Sequence, residues 1–98
     1  MKIYISGPMA GYPDLNFNAF DEAEKELVAQ GHIAVSPAVI GRRDASMSYE
    51  YKLREAIRLM LDCEAVYFLR GWEFSLGART ELQIALALKM AIFHQDSA

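Results

Sequence analysis

Glu81 is the residue in this chain best placed to do chemistry. It stands four residues after Gly77 in the run Arg70-Gly71-Trp72-Glu73-Phe74-Ser75-Leu76-Gly77-Ala78-Arg79-Thr80-Glu81. An apolar-periodic segment follows Ser75, whose hydroxyl can cap a helix by accepting a first-turn N–H that has no partner within the helix. In a helix opening at Leu76, Gly77 and Glu81 share one face, and side chains lean toward the N-terminus. The Glu81 carboxylate then projects over a turn whose glycine has no side chain to cover it. A carboxylate left open beside the positive end of a helix is a natural place for a small polar ligand. The alternative is that Gly77 only lets the helix start lie close to a sheet and that Glu81 is solvated.

Other candidates are arranged around this stretch. Ser6 and Gly7 end a short apolar run, and Gly7-Pro8 breaks it. Arg79 falls in the first turns of the same helix and can reach a phosphate, or it is an exposed helix arginine. Trp72 offers a flat apolar face on which a base can stack, or it anchors the loop to the core. Arg42 and Arg43 lie in the longest loop, where they close over an anion or are simply solvated. Tyr12 and Asp14 touch a ligand or serve as turn residues. Tyr4 alternates with Ile3 and Ile5 and reads as core. His32, His94 and Cys63 have no metal-like spacing, so no metal and no cofactor are expected.

The elements that position these residues follow from periodicity and punctuation. Lys2 to Ser6 reads as a strand. Asn16 is a candidate N-cap for a helix to about Gln30, ended by Gly31. His32 to Ser36 reads as a second strand stopped by Pro37, and residues 38 to 48 show no clear element. Leu53, Ile57, Met60 and Leu61 mark a helix from Tyr49 to Asp62. Ala65 to Leu69 is apolar throughout, as in a strand covered on both faces. A helix from Leu76 to Lys89 and a short strand Ala91 to His94 complete the chain. Alternation of strand and helix predicts a small doubly wound α/β domain of the flavodoxin-like or Rossmann-like kind. The four strands are expected parallel, in the order 2-1-3-4, with helices on both faces. Ligands bind such sheets outside the carboxyl ends of the strands, where the strand order reverses. That crevice brings Ser6-Gly7-Pro8 toward the Gly71 to Glu81 stretch.

The 98 residues bound the chain to one domain, 1–98, with a single core. Hydrophobic residues make up 53% and charged residues 23%, a globular rather than disordered composition. A net charge of −3 argues against a nucleic-acid binder. The single cysteine excludes an internal disulfide and fits a reducing compartment. Neither a signal-peptide pattern nor a membrane-length apolar run is visible, so a soluble, cytoplasmic protein is expected. A domain this small is expected to self-associate as a homodimer or larger, with Leu53, Ile57, Met60 and Leu61 as the candidate face.

Tyr4-Ile5-Ser6-Gly7-Pro8, taken with Ser75-Leu76-Gly77-Ala78-Arg79-Thr80-Glu81, resembles the nucleoside 2-deoxyribosyltransferase superfamily. The likeness is nearest the 2-deoxynucleoside 5-phosphate N-hydrolase branch and small phage-associated relatives of unassigned activity. It covers nearly the whole chain in element order as well as in motifs. The resemblance implies an N-glycosidase or transferase acting on a nucleoside or nucleotide, with Glu81 attacking C1 of the deoxyribose. It implies that Ser75 and the Gly77 amide hold the sugar 5-hydroxyl or 5-phosphate, and that Ser6 and Gly7 let the substrate approach the backbone. Members usually carry an aspartate on the helix before the third strand, and Ala56 stands at the matching position. Glu55 is adjacent but turned by roughly 100° around a helix. That departure keeps open a non-catalytic nucleotide binder on the same scaffold. A glycohydrolase acting on a dinucleotide such as NAD is a third reading.

Overall fold

The structure is a computed structural model, and it describes residues 1–43 and 46–95. Four strands, β1 (Lys2–Ser6), β2 (Ile33–Val35), β3 (Ala65–Phe68) and β4 (Ala91–His94), form one sheet in the order β2-β1-β3-β4. All neighbours are parallel, with Ile3 opposite Ala34 on one side of β1 and Ser6 opposite Phe68 on the other. The expected doubly wound architecture and strand order are therefore observed. The order reverses between β1 and β3, and the site described below opens at their carboxyl ends.

Four helices cover the sheet: α1 (Phe17–Ala29), α2 (Ala38–Arg43), α3 (Tyr49–Leu61) and α4 (Leu76–Ala87). Alternation along β1 divides the core between the two faces. Ile3 and Ile5 pack with Phe20, Ala23 and Leu27 of α1. Tyr4, Val66 and Phe68 face the other way, toward Ala56 and Met60 of α3 and Ala85 of α4. Phe20, Met60, Val66 and Phe68 are wholly excluded from water, each such side chain worth about 1.5–3 kcal/mol.

The helix ends explain where the elements stop. Gly31, at φ 90°, lets α1 close with paired bonds from Gly31 N–H to Val28 and His32 N–H to Leu27. Ser48 caps α3, its Oγ accepting from Tyr51 N–H at 3.1 Å, and Ser75 caps α4 by accepting from Ala78 N–H at 3.1 Å.

Three expectations are corrected here. Asn16 does stand at the N-cap position of α1, but its side chain makes no cap bond: it sits in the left-handed region at φ 61°, and its side-chain amide donates instead to Pro8 O at 2.9 Å. The region after Pro37 is not featureless, because α2 occupies Ala38–Arg43. Residues 44 and 45 of that expected loop lie outside the described residues. The α3 face named for self-association is not free, since Met60 is fully buried and Leu53 lines a cavity, leaving Leu61 as its exposed member.

Candidate functional site

The site is built on a polar pair in the carboxyl half of β1. Tyr4 and Ser6, two apart on a strand, project from the same face. Both meet Glu81 on α4, Tyr4 OH donating to Oε2 and Ser6 Oγ donating to Oε1, each at 2.7 Å. Glu81 is 3% exposed. It is therefore neither an open surface charge nor an apolar filler. Burial pushes its carboxyl up to about 7, against the two hydroxyl hydrogen bonds, which favour the anion. The Tyr4 phenol is raised well above its ordinary range, first by burial and then by the Glu81 charge. Tyr4 thus remains a proton donor to Glu81 over the whole working pH range.

Glu81 forms the floor of a cavity of about 500 Å³, a size suited to a small organic ligand. One wall is the loop after β1, from Gly7 to Tyr12, with Leu15 beyond it. A second is the face of α3 that carries Tyr49, Lys52, Leu53 and Ala56. The start of α4, Ser75 to Ala78, closes a third side, and Ile40 and Gly41 of α2 a fourth. The loop over the cavity holds three successive non-glycine residues in the left-handed region, Asp14, Leu15 and Asn16, at φ 49°, 51° and 61°. Each such residue costs on the order of 1 kcal/mol, and strain of this kind concentrates at ligand clamps. At the rim, Phe74 is 85% and Leu76 62% exposed, an apolar margin beside the polar floor.

The residues singled out from the sequence divide into those that reach the cavity and those that do not. Glu81, Ser75, Gly77 and Gly7 line it, as does Tyr12. Ser6 is fully buried behind Glu81 and acts by holding the carboxylate. Gly7 has a packing reason as well, because a side chain there would approach Leu69 Cβ to 2.8 Å. Trp72 is turned away from the cavity, against Phe68 and His94, with ring centroids 5.5 and 5.6 Å distant. The flat face proposed for a base is spent on the end of β3. Arg79, the fourth residue of α4, is exposed and outside the lining. Arg42 does not close over a ligand either: it lies at the end of α2, pairs with Asp21 at 2.6 Å and sits over the Phe17 ring.

Three lining residues were not visible beforehand as site residues. Tyr4 passed as core because its alternation with isoleucines is also what a core tyrosine shows. Tyr49 and Lys52 stand seven and four residues before Ala56, so a helical projection of α3 about Ala56 would have found them. Ala56 itself is buried and faces the cavity, while Glu55 turns aside to Arg58 at 3.3 Å. The α3 wall therefore has no carboxylate where the resemblance implies one. Among the described residues no group of three His, Cys, Asp or Glu side chains could hold a metal, and no helix is long and apolar enough to cross a membrane.

Comparison with known proteins gives one family. Its model, described as "Domain of unknown function (DUF4406)", matches residues 1–94. No curated protein matches the chain.

Proposed function

The chain belongs to the DUF4406 family, whose description assigns no activity, and from the site itself we propose that it cleaves or exchanges the N-glycosidic bond of a nucleoside or its 5-phosphate. The observation that carries this reading is the buried Glu81 carboxylate, held by Tyr4 and Ser6 at 2.7 Å and presented to a cavity at the switch point of the sheet. Each carboxylate oxygen accepts one hydroxyl and keeps a lone pair for the cavity. As the bond between C1 and the base nitrogen breaks, positive charge develops on the sugar, and a carboxylate stabilises it or closes on C1. A Glu81 oxygen then bonds to C1, the base leaves with the bonding pair and takes a proton from water, and water or a second base releases the sugar. The raised affinity of Glu81 for its proton, to about 7, leaves a mixed population near neutrality, so activity should rise as pH increases through 7.

Incubation of the pure protein with deoxynucleosides, ribonucleosides, their 5-phosphates and NAD, read for free base, tests the proposal. Release from a deoxynucleoside or its phosphate supports it, and release from NAD alone moves the activity to the dinucleotide reading. The second reading, a non-catalytic binder of the same ligands, is favoured by Ala56, which leaves the α3 wall without an acid for the departing base. Tight binding of a nucleoside without release of base from any compound would select it.

A further inference from the structure

The start of α4 is already occupied from within. Gly77 is the second residue of α4, and its N–H donates to the phenolic oxygen of Tyr49, the first residue of α3. A side chain on Gly77 would meet that oxygen at 3.1 Å and Leu53 Cδ1 at 3.5 Å. The backbone of Gly77 is not left-handed, so the helix itself does not require glycine there. What glycine provides is the space in which the phenol sits. The next amide, that of Ala78, is taken by Ser75 Oγ at 3.1 Å. Both amides that an anion would use at this helix end therefore have partners inside the protein.

The charges around the cavity point the same way. Among the described residues the lining contains one basic side chain, Lys52, which is itself engaged, and one carboxylate, Glu81. Arg79, the nearby arginine of α4, lies outside it. A phosphate dianion placed here would meet a phenol, a carboxylate, the single and already engaged ammonium of Lys52 and a largely apolar wall, with no arginine fork to receive it. A neutral hydroxyl would fare better. Tyr49, having accepted from Gly77, keeps its own proton to donate. Gly77 and Glu81 are one helical turn apart, about 6 Å along the axis, a span that a furanose ring and its exocyclic carbon cover. With C1 at Glu81, the sugar 5-oxygen falls at Tyr49.

We propose that Tyr49 is a specificity-determining residue that closes the α4 end of the cavity to a 5-phosphate, so that the site takes the free nucleoside and binds its 5-hydroxyl through the phenol. This rests on the glycosidic reading above and chooses between its two substrate classes. Tyr49 is 41% exposed at a helix start, so its replacement leaves the core intact.

The test compares a 2-deoxynucleoside with its 5-monophosphate, by base release and by calorimetric titration, in wild type, Tyr49→Phe and Tyr49→Ala. Expected is a wild-type preference for the nucleoside of at least about tenfold, within the range that pocket contacts provide. Tyr49→Ala frees the Gly77 amide and the space above it, and should reverse the preference. Tyr49→Phe keeps the bulk and loses the hydroxyl, so it should weaken nucleoside binding several-fold while still rejecting the phosphate. Release of base from the monophosphate faster than from the nucleoside by wild type overturns this inference and leaves the glycosidic reading standing. An unchanged ratio in Tyr49→Ala also overturns it. Protein that neither binds nor cleaves either compound overturns both.

Discussion

The two faces of β1 are equally dry and do different work. Ile3 and Ile5 are 2% and 0% exposed, and Tyr4 and Ser6 are 1% and 0% exposed. The isoleucines pack on α1, and their burial is favourable in itself. The tyrosine and serine bring hydroxyls into the interior, which costs free energy unless they find partners. Both find the same one, Glu81, whose own burial would be costly without them. No buried side-chain nitrogen or oxygen among the described residues lacks a partner. One strand thus stabilises the fold with one face and, with the other, holds a carboxylate in a state that stability alone would not favour. Burial on its own does not tell a core residue from a site residue; the energetic sign of that burial does.

Substitutions on the two faces should separate these roles. Glu81→Gln has the largest expected effect, a loss of several powers of ten in turnover, each worth about 1.4 kcal/mol of barrier. Circular dichroism and ligand titration should show the fold and affinity retained. Ile5→Ala should do the opposite, lowering stability by about 2–5 kcal/mol in urea unfolding while turnover per folded molecule is unchanged. A fall in turnover there as large as in Glu81→Gln would break the distinction between the faces.

Acidity sharpens the same contrast. With its carboxyl raised from 4.5 to about 7, folded Glu81 holds a proton that the unfolded chain releases between those values. Its contribution to stability is fully present below pH 4.5 and is lost as pH rises through 7, by about 3 kcal/mol. The difference in unfolding free energy between wild type and Glu81→Gln should follow that curve. A flat difference would mean that Glu81 is hydrated. The smallest effect is expected from Tyr4→Phe, which removes one donor to the carboxylate. It should cost about 1–3 kcal/mol of stability at pH 8 and move the acid limb of the pH–rate profile to higher pH.

How much of this was legible in the sequence follows from how local each signal is. The strands themselves and the Ser75 cap are written within a few residues, in apolar runs and in a serine before an apolar stripe; the strand order needed the alternation of the whole chain and the right-handed crossover as well. The short helix α2 was missed because six residues show no stripe, although Ser36-Pro37 marks its start: Ser36 Oγ accepts from Ala38 N–H at 3.2 Å. Asn16 looked like a cap, but the loop's return to Pro8 recruited its amide. Arg42 looked available because Asp21 lies 21 residues away. The role of Tyr4 was the least legible, since its partner Glu81 is 77 residues distant along the chain. Nothing in the alternation of β1 distinguishes a tyrosine that fills space from one that donates to a carboxylate. Ala56 could be placed on the cavity wall because helical phase carries over from the resemblance. Tyr49 was passed over because its value depends on Gly77, on a different helix.

The central claim is that Glu81 itself reacts with the sugar, and the most direct test is to look for the bond. Wild-type protein mixed with a deoxynucleoside, quenched with acid within the first turnover and digested, should yield a peptide containing Glu81 that is heavier by one deoxyribosyl group. Glu81→Gln treated alike should yield no such peptide and release no base on that timescale. Base released by Glu81→Gln at the wild-type rate, with the Glu81 peptide of wild type unmodified, would contradict the claim.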